Sequence, residues 1–286
     1  MSNELAELGS LGRISYRLLG PERGLPLVLL RPLGGSMALW GTLEARLAEH
    51  YRLLVFDPRG VGASGPAPLG CSTRGMAADV RVLLQTLRIA RANVFGLSLG
   101  GMVGEWLAID APELVNKLIL ASTLPRAGAI SRRIAGDVLS FARWFLRPGI
   151  GAEVGLVRQI LSPEFRRAQP ERVAAIEALV RAHPTSRANL WKLALAAAGH
   201  DAEPRLSEIA APTLLLVGAR DPVAGSRSQT ELILGIADAR LEVIRESGHD
   251  LSLEAPDATY AHVRAFLDGE ALARPAEGAI EFLSGH

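Results

Sequence analysis

Cysteine is nearly missing from this sequence: Cys71 is the only one in 286 residues. An intrachain disulfide framework is therefore excluded, and the redox compartment is left open. Lysine is almost as scarce. Of 31 basic residues, only Lys117 and Lys192 are lysines, and the arginine excess reads as a genomic composition bias. Net charge is +1, so nothing points to nucleic acid or an anionic membrane as a partner. No segment approaches the length of a membrane span without charge or glycine. The stretch Met1-Ser2-Asn3-Glu4-Leu5-Ala6-Glu7 holds two acids and no apolar run, unlike a secretory signal. A cytoplasmic protein is expected. Internal repeats and low-complexity tracts are also missing.

What is present is an ordinary globular balance, 49% apolar and 21% charged. A chain near this size buries roughly 75% of its unfolded surface. That suits one large domain, or a domain with an inserted subdomain.

Four short apolar runs read as strands covered on both faces: Leu27–Leu30, Leu53–Phe56, Asn93–Phe95 and Lys117–Ser122. Residues 11–19 alternate apolar and polar, which predicts an antiparallel edge strand ended by the turn Gly20-Pro21-Glu22-Arg23-Gly24. Helices are predicted around Leu39–Leu47, from Thr73 to Ile89 and from Gly101 to about Asp110. Residues 125–203 break the rhythm with helical stretches and no clear strand. Alternation resumes with Pro212–Gly218, a helix around Gln229–Ile236, the strand Arg240–Ile244 and a last helix over about Asp257–Leu267. Alternating strand and helix predicts an α/β fold: a mostly parallel central sheet with helices on both faces. The helical block then lies above the carboxyl ends of the strands, where open α/β sheets bind ligands.

The stretch around which the rest is organised is Gly96-Leu97-Ser98-Leu99-Gly100. A strand precedes it and a helix start follows. Gly-x-Ser-x-Gly occurs by chance, but strand–turn–helix context makes it informative. A turn that tight leaves no room for flanking side chains, and the helix N-terminus behind the serine favours negative charge. Serine is a weak nucleophile until a base takes its proton and a third group holds that base. Asp221 follows the strand ending at Val217, and His249 follows the one ending at Ile244. Both sit at strand carboxyl ends, on the side of Ser98. Each alone has a plainer reading, since Asp221-Pro222 also forms turns and His249 also suits a surface loop. Together, the order Ser, Asp, His matches enzymes with this elbow. Asp250 adjoins His249, but its side chain is expected to point elsewhere. An oxyanion needs donors, and the backbone amides of Leu99 and Leu33 are the candidates, with Gly34-Gly35 giving the early loop freedom to turn. No metal or organic cofactor is implied.

At these residues the chain resembles α/β-hydrolase-fold enzymes, over about Leu11 to Leu267. The elbow with Gly101, the loop Asp57-Pro58-Arg59-Gly60-Val61-Gly62-Ala63-Ser64, the loop Gly218-Ala219-Arg220-Asp221-Pro222, and Gly248-His249 with Glu254-Ala255-Pro256 all match that family's habits. Gly96–Ala108 and His249–Pro256 are especially similar to 3-oxoadipate enol-lactonases. The resemblance implies Ser98 as nucleophile, His249 as base and Asp221 as its partner. It also implies a core of residues 1–124 and 204–270, a helical lid over 125–203 and a tail over 271–286. Many members carry His-Gly where this chain has Arg31-Pro32, and proline removes one backbone amide there. Arg31 either lies near the pocket, to attract a substrate carboxylate, or is a solvated loop residue. Within the lid, Arg132, Arg133, Trp144 and Trp191 are candidate substrate contacts, since an enol-lactone carries a carboxylate and arginine suits one.

The expected activity is hydrolysis of a small ester or lactone through an acyl-enzyme. Acyl transfer to an alcohol or peroxide, and carbon–carbon bond cleavage, use the same triad. A non-catalytic ligand-binding relative is the reading from another class. Dehalogenases and epoxide hydrolases of this fold carry aspartate at the elbow, where this chain has Ser98. Oligomeric state is left open.

Overall fold

Each continuous apolar run becomes a strand covered on both sides. A computed structural model describes residues 3–127, 152–269 and 282–283. Its strands are β1 (Glu4–Glu7), β2 (Arg13–Leu19), β3 (Leu27–Leu30), β4 (Leu53–Phe56), β5 (Ala92–Leu97), β6 (Val115–Ala121), β7 (Thr213–Gly218) and β8 (Ala239–Ile244). They form one sheet in the order β1-β2-β4-β3-β5-β6-β7-β8. β2 runs antiparallel to both of its neighbours, β1 and β4, and all the other pairs are parallel.

The period of two along each central strand sorts side chains to the two faces. Val28, Leu30, Leu118, Leu120, Leu215 and Val217 point into one core cluster. Their neighbours Leu27, Leu29, Ile119, Leu214 and Leu216 point into another. Helices α1 (Gly41–Ala48), α2 (Thr73–Thr86) and α3 (Leu99–Asp110) come from the first half of the chain. The middle supplies α4 (Ala152–Ile160), α5 (Pro163–Ala168), α6 (Pro170–Ala182) and α7 (Arg187–Ala198). The last part adds α8 (Ser226–Gly235), α9 (Leu251–Glu254) and α10 (Pro256–Asp268). α2, α3 and α8 cover the first face, and α1 and α10 the second. Phe282 and Leu283 pack against the first cluster.

The edge strand differs from the sequence expectation. β2 is an inner strand, because the acidic stretch β1 pairs with it, Glu4 opposite Tyr16. Four residues carrying two acids give almost no apolar signal. Charge on a short outer strand is what discourages further pairing.

α4 to α6 build a third cluster of their own, with Val157, Leu161, Phe165, Ile176 and Val180 resting on Leu39 and Leu253. This helical layer leaves and rejoins the sheet through a narrow neck. There the backbones of Arg126 and Asp201 pair in an isolated antiparallel bridge, and the Ala127 amide donates to the His200 carbonyl at 2.9 Å. The buried His200 ring ties the neck to the core, 3.0 Å from Glu105 on α3 and 2.9 Å from Thr73 on α2.

Candidate active site

β5 hands directly to α3 through Ser98, whose φ of 55° and ψ of −118° lie outside the ordinary regions for a non-glycine residue. Close packing enforces this turn. A side chain at Gly96 would stand 2.3 Å from the Gly100 carbonyl oxygen, and one at Gly100 would stand 2.1 Å from the Leu30 carbonyl oxygen. The serine backbone is held from several directions. Its amide donates to Ala121 at 2.8 Å, and its carbonyl accepts from Gly101 at 2.8 Å, Met102 at 3.1 Å and the Thr123 hydroxyl at 2.9 Å. Such a conformation costs on the order of 1–3 kcal/mol and persists only where its surroundings over-determine it.

The three residues expected to act together meet. His249 Nε2 lies 2.8 Å from Ser98 Oγ. His249 Nδ1 lies 2.9 and 3.0 Å from the two Asp221 oxygens. Asp221 Oδ1 also accepts from the amides of Val223 at 2.7 Å and Ala224 at 2.9 Å, which fixes the carboxylate. Partner chemistry assigns the tautomer: Nδ1–H donates to the carboxylate and Nε2 accepts from the serine hydroxyl. Burial pushes the Asp221 carboxyl up, but the His249 ring and the two amides outweigh it and hold the group below its usual range. Burial pushes the His249 imidazole down. Asp221 outweighs that, with Asp250 and Glu254 adding to it, and the pKa lies above its ordinary value.

Leu99 opens α3, where first-turn amides have no acceptor within the helix. Leu33 sits on the loop after β3, turned by a Gly35-to-Pro32 hydrogen bond of 3.0 Å. The buried Asp57 carboxylate steadies the far end of that loop by accepting from the Met37 amide at 2.6 Å. Leu33 and Leu99 both line a cavity of about 380 Å³ over Ser98 and His249. α4 and α7 contribute the opposite wall.

Arg31 fits neither sequence expectation. It is buried and does not line this cavity. Its guanidinium donates to Asp250 at 2.9 Å and to Ser252 at 2.8 Å, and stacks 4.8 Å from the Trp40 ring centre. A buried arginine needs a carboxylate partner, and Asp250 supplies it from 219 residues away. That engagement also turns Asp250 away from His249, as the sequence suggested. Trp191 does line the cavity, at 39% exposure. Arg132, Arg133 and Trp144 lie outside the described residues.

Two features escape sequence reasoning. Ser122, the residue after β6, has a φ of 46°, lines the cavity and has a buried hydroxyl with no hydrogen-bond partner. Its only signal is its place at a strand end beside the elbow. The second feature is a latch between the helical layer and the His249 loop. Glu254 accepts from the Ser162 amide at 3.1 Å, the Ser162 hydroxyl at 2.6 Å and the Gly248 amide at 3.0 Å. The His249 amide donates to Ile160 at 3.2 Å. Among the described residues, no group of three His, Cys, Asp or Glu side chains is placed to hold a metal ion, and no helix is long and apolar enough to cross a membrane.

A serine on a strained strand-to-helix turn, with histidine and aspartate at two later strand ends of a mostly parallel sheet, defines the α/β hydrolases as a class. A family model described as alpha/beta hydrolase fold matches residues 26–256, and the chain belongs to that family. It is 30% identical over 268 residues to 3-oxoadipate enol-lactonase 2 of Acinetobacter baylyi, covering 89% of this chain and 92% of that protein. The crystal structure of the enol-lactonase from Burkholderia xenovorans LB400 superposes with a TM-score of 0.81 at 26% identity, covering 93% of this chain and all (100%) of that one. Est816, described as an N-acyl homoserine lactone degrading enzyme, gives a TM-score of 0.76 at 31% identity, covering 89% and 96%. The chain is thus a hydrolase of this fold.

Proposed function

We propose that the protein hydrolyses a small carboxylic ester or lactone through an acyl-enzyme on Ser98. The observation that carries this reading is the 2.8 Å contact between His249 Nε2 and Ser98 Oγ, with Asp221 behind the ring. His249 takes the hydroxyl proton as Ser98 Oγ attacks the carbonyl carbon. The developing oxyanion is met by the amides of Leu99 and Leu33, at the positive end of α3. His249 then protonates the leaving alkoxide, and the acyl-enzyme forms. Water enters, gives its proton to His249, and attacks the acyl carbon. Ser98 leaves with that proton, and the acid is released. Asp221 holds the imidazole in its working tautomer and stabilises the imidazolium. Residues 125–203 act as the lid that closes the acyl site.

The kinship to a named enol-lactonase and to a lactone-degrading enzyme supports a carbonyl substrate. A panel of small esters, thioesters and lactones, each run beside Ser98→Ala, tests the proposal. Turnover is expected for part of the panel, with the variant silent. Undiminished turnover in Ser98→Ala would sink it. Competing alcohol and peroxide in the same assay separate hydrolysis from acyl transfer.

A further inference from the structure

The cavity wall is apolar wherever it is described. Apart from Ser98, His249, Ser122 and the Trp191 indole, its described lining consists of aliphatic side chains, proline and methionine, and none of these residues is Asp, Glu, Lys or Arg. Most cations of the described helical layer are engaged elsewhere, and Arg166 and Arg187 are exposed and do not line the cavity. Lys192 donates to the Ala67 carbonyl at 2.7 Å, and Arg172 to the Leu253 carbonyl at 2.8 Å. Arg158 and Arg181 both hold Glu177. Arg126 bridges Glu203 and Glu231 at the neck. Arg31 is consumed by Asp250. Among the described residues, no cation lines this space to replace the hydration that a carboxylate would lose there.

α7 shapes the space. Ala194, Ala197 and Ala198 present only methyl groups to it, which leaves room for a chain. Trp191 and Leu195, one turn apart on the same helix, line the same cavity yet remain 39% and 54% exposed. Apolar side chains that rim a cavity mark a surface meant to meet an apolar ligand. At roughly 30 Å³ per water-sized group, about 380 Å³ accommodates on the order of a dozen heavy atoms.

We infer that the substrate's acyl group is an uncharged alkanoyl chain lying between α3, α4 and α7, not the carboxylate-bearing group of an enol-lactone. This rests on the hydrolase reading above. It assigns specificity to α7, with Ala194 and Ala198 setting chain length and Trp191 and Leu195 forming an apolar mouth. Arg132 and Arg133 fall outside the described residues, so the test compares substrates on the whole protein.

The probes are methyl hexanoate, the monomethyl ester of hexanedioic acid and its dimethyl ester, with methyl acetate as the short reference and Ser98→Ala as the blank. Methyl hexanoate and the monoester share one chain length and differ at the far end, methyl against carboxylate. The expected kcat/KM rises about fourfold per methylene from acetate to hexanoate. The monoester is expected to fall on the order of 10²-fold below methyl hexanoate, and the neutral diester to recover most of that loss. Leu195→Arg, at an exposed position, is expected to narrow the hexanoate-to-monoester gap by about tenfold. Ala198→Leu is expected to move the optimum to shorter chains. A monoester cleaved as fast as methyl hexanoate, or faster, would overturn the inference while leaving the hydrolase reading intact. No Ser98-dependent cleavage of any of the four esters would overturn the hydrolase reading and the inference with it.

Discussion

The floor and the roof of the cavity are built on opposite principles. On the floor, Ser98, His249 and Asp221 are polar, and each is fixed by several hydrogen bonds from separate strand ends. The roof, from α4 and α7, meets the cavity with the Trp191 indole and otherwise with aliphatic side chains, whose packing has no directional demand. The floor therefore fixes the reaction, because bond making needs atoms held at set distances. The roof fixes the substrate, because apolar walls discriminate by volume and charge. Among the described residues, the His249 loop is joined to the roof through Glu254 on Ser162 and the His249 amide on Ile160.

Breaking the floor has the largest expected effects. Ser98→Ala is expected to lower kcat by about 10⁶-fold, the scale for loss of a triad nucleophile. Asp221→Asn keeps the shape but disturbs the tautomer, and a loss of about 10⁴-fold in kcat is expected. Substituting Arg31 by Ala leaves Asp250 buried without its partner. An equilibrium unfolding experiment should then show a loss of about 3–5 kcal/mol, with no selective loss of charged substrates.

The join comes next. Glu254→Ala strands the buried Ser162 and Gly248 donors, and denaturant unfolding should show a loss of about 1–3 kcal/mol. Because the latch holds the His249 loop to the helical layer, kcat is expected to fall in the same variant. Unchanged stability and kcat would separate floor from roof entirely.

The smallest effect is on pH dependence. In the proposed mechanism His249 serves as base in its neutral form, and its pKa lies above the ordinary value. The rate should therefore fall about tenfold per unit as pH drops below that raised pKa. Asp221 is the chief cause that raises it. In Asp221→Asn the acidic limb of the kcat/KM profile should move to lower pH, although the absolute rate is small. A limb that stays in place would assign the titration to another group.

The floor was legible in the sequence because its signals are local. Leu27–Leu30 and Leu53–Phe56 are continuous apolar runs between turn residues, and they form β3 and β4 with those bounds. Ser98, Asp221 and His249 each follow such a run. β1 was not legible, since its strand character comes from pairing with β2 and not from its own four residues. Arg31 was misread for a related reason. Its partner Asp250 is distant in sequence, and a buried ion pair has no local signature. Ser122 reads in sequence only as the end of an apolar run, because its strained backbone and unpaired hydroxyl exist only in three dimensions. The roof was the least legible part. Ala194, Leu195 and Ala198 look like ordinary helix formers, and only the fold turns their faces toward Ser98.

Intact-mass spectrometry after treatment with a fluorophosphonate tests the central claim most directly. The account predicts one adduct per chain, mapped by peptide analysis to Ser98. It predicts that this adduct is absent in Ser98→Ala and forms far more slowly in His249→Ala and Asp221→Asn. An adduct on another residue, or labelling of Ser98 at the same rate without His249, would contradict it.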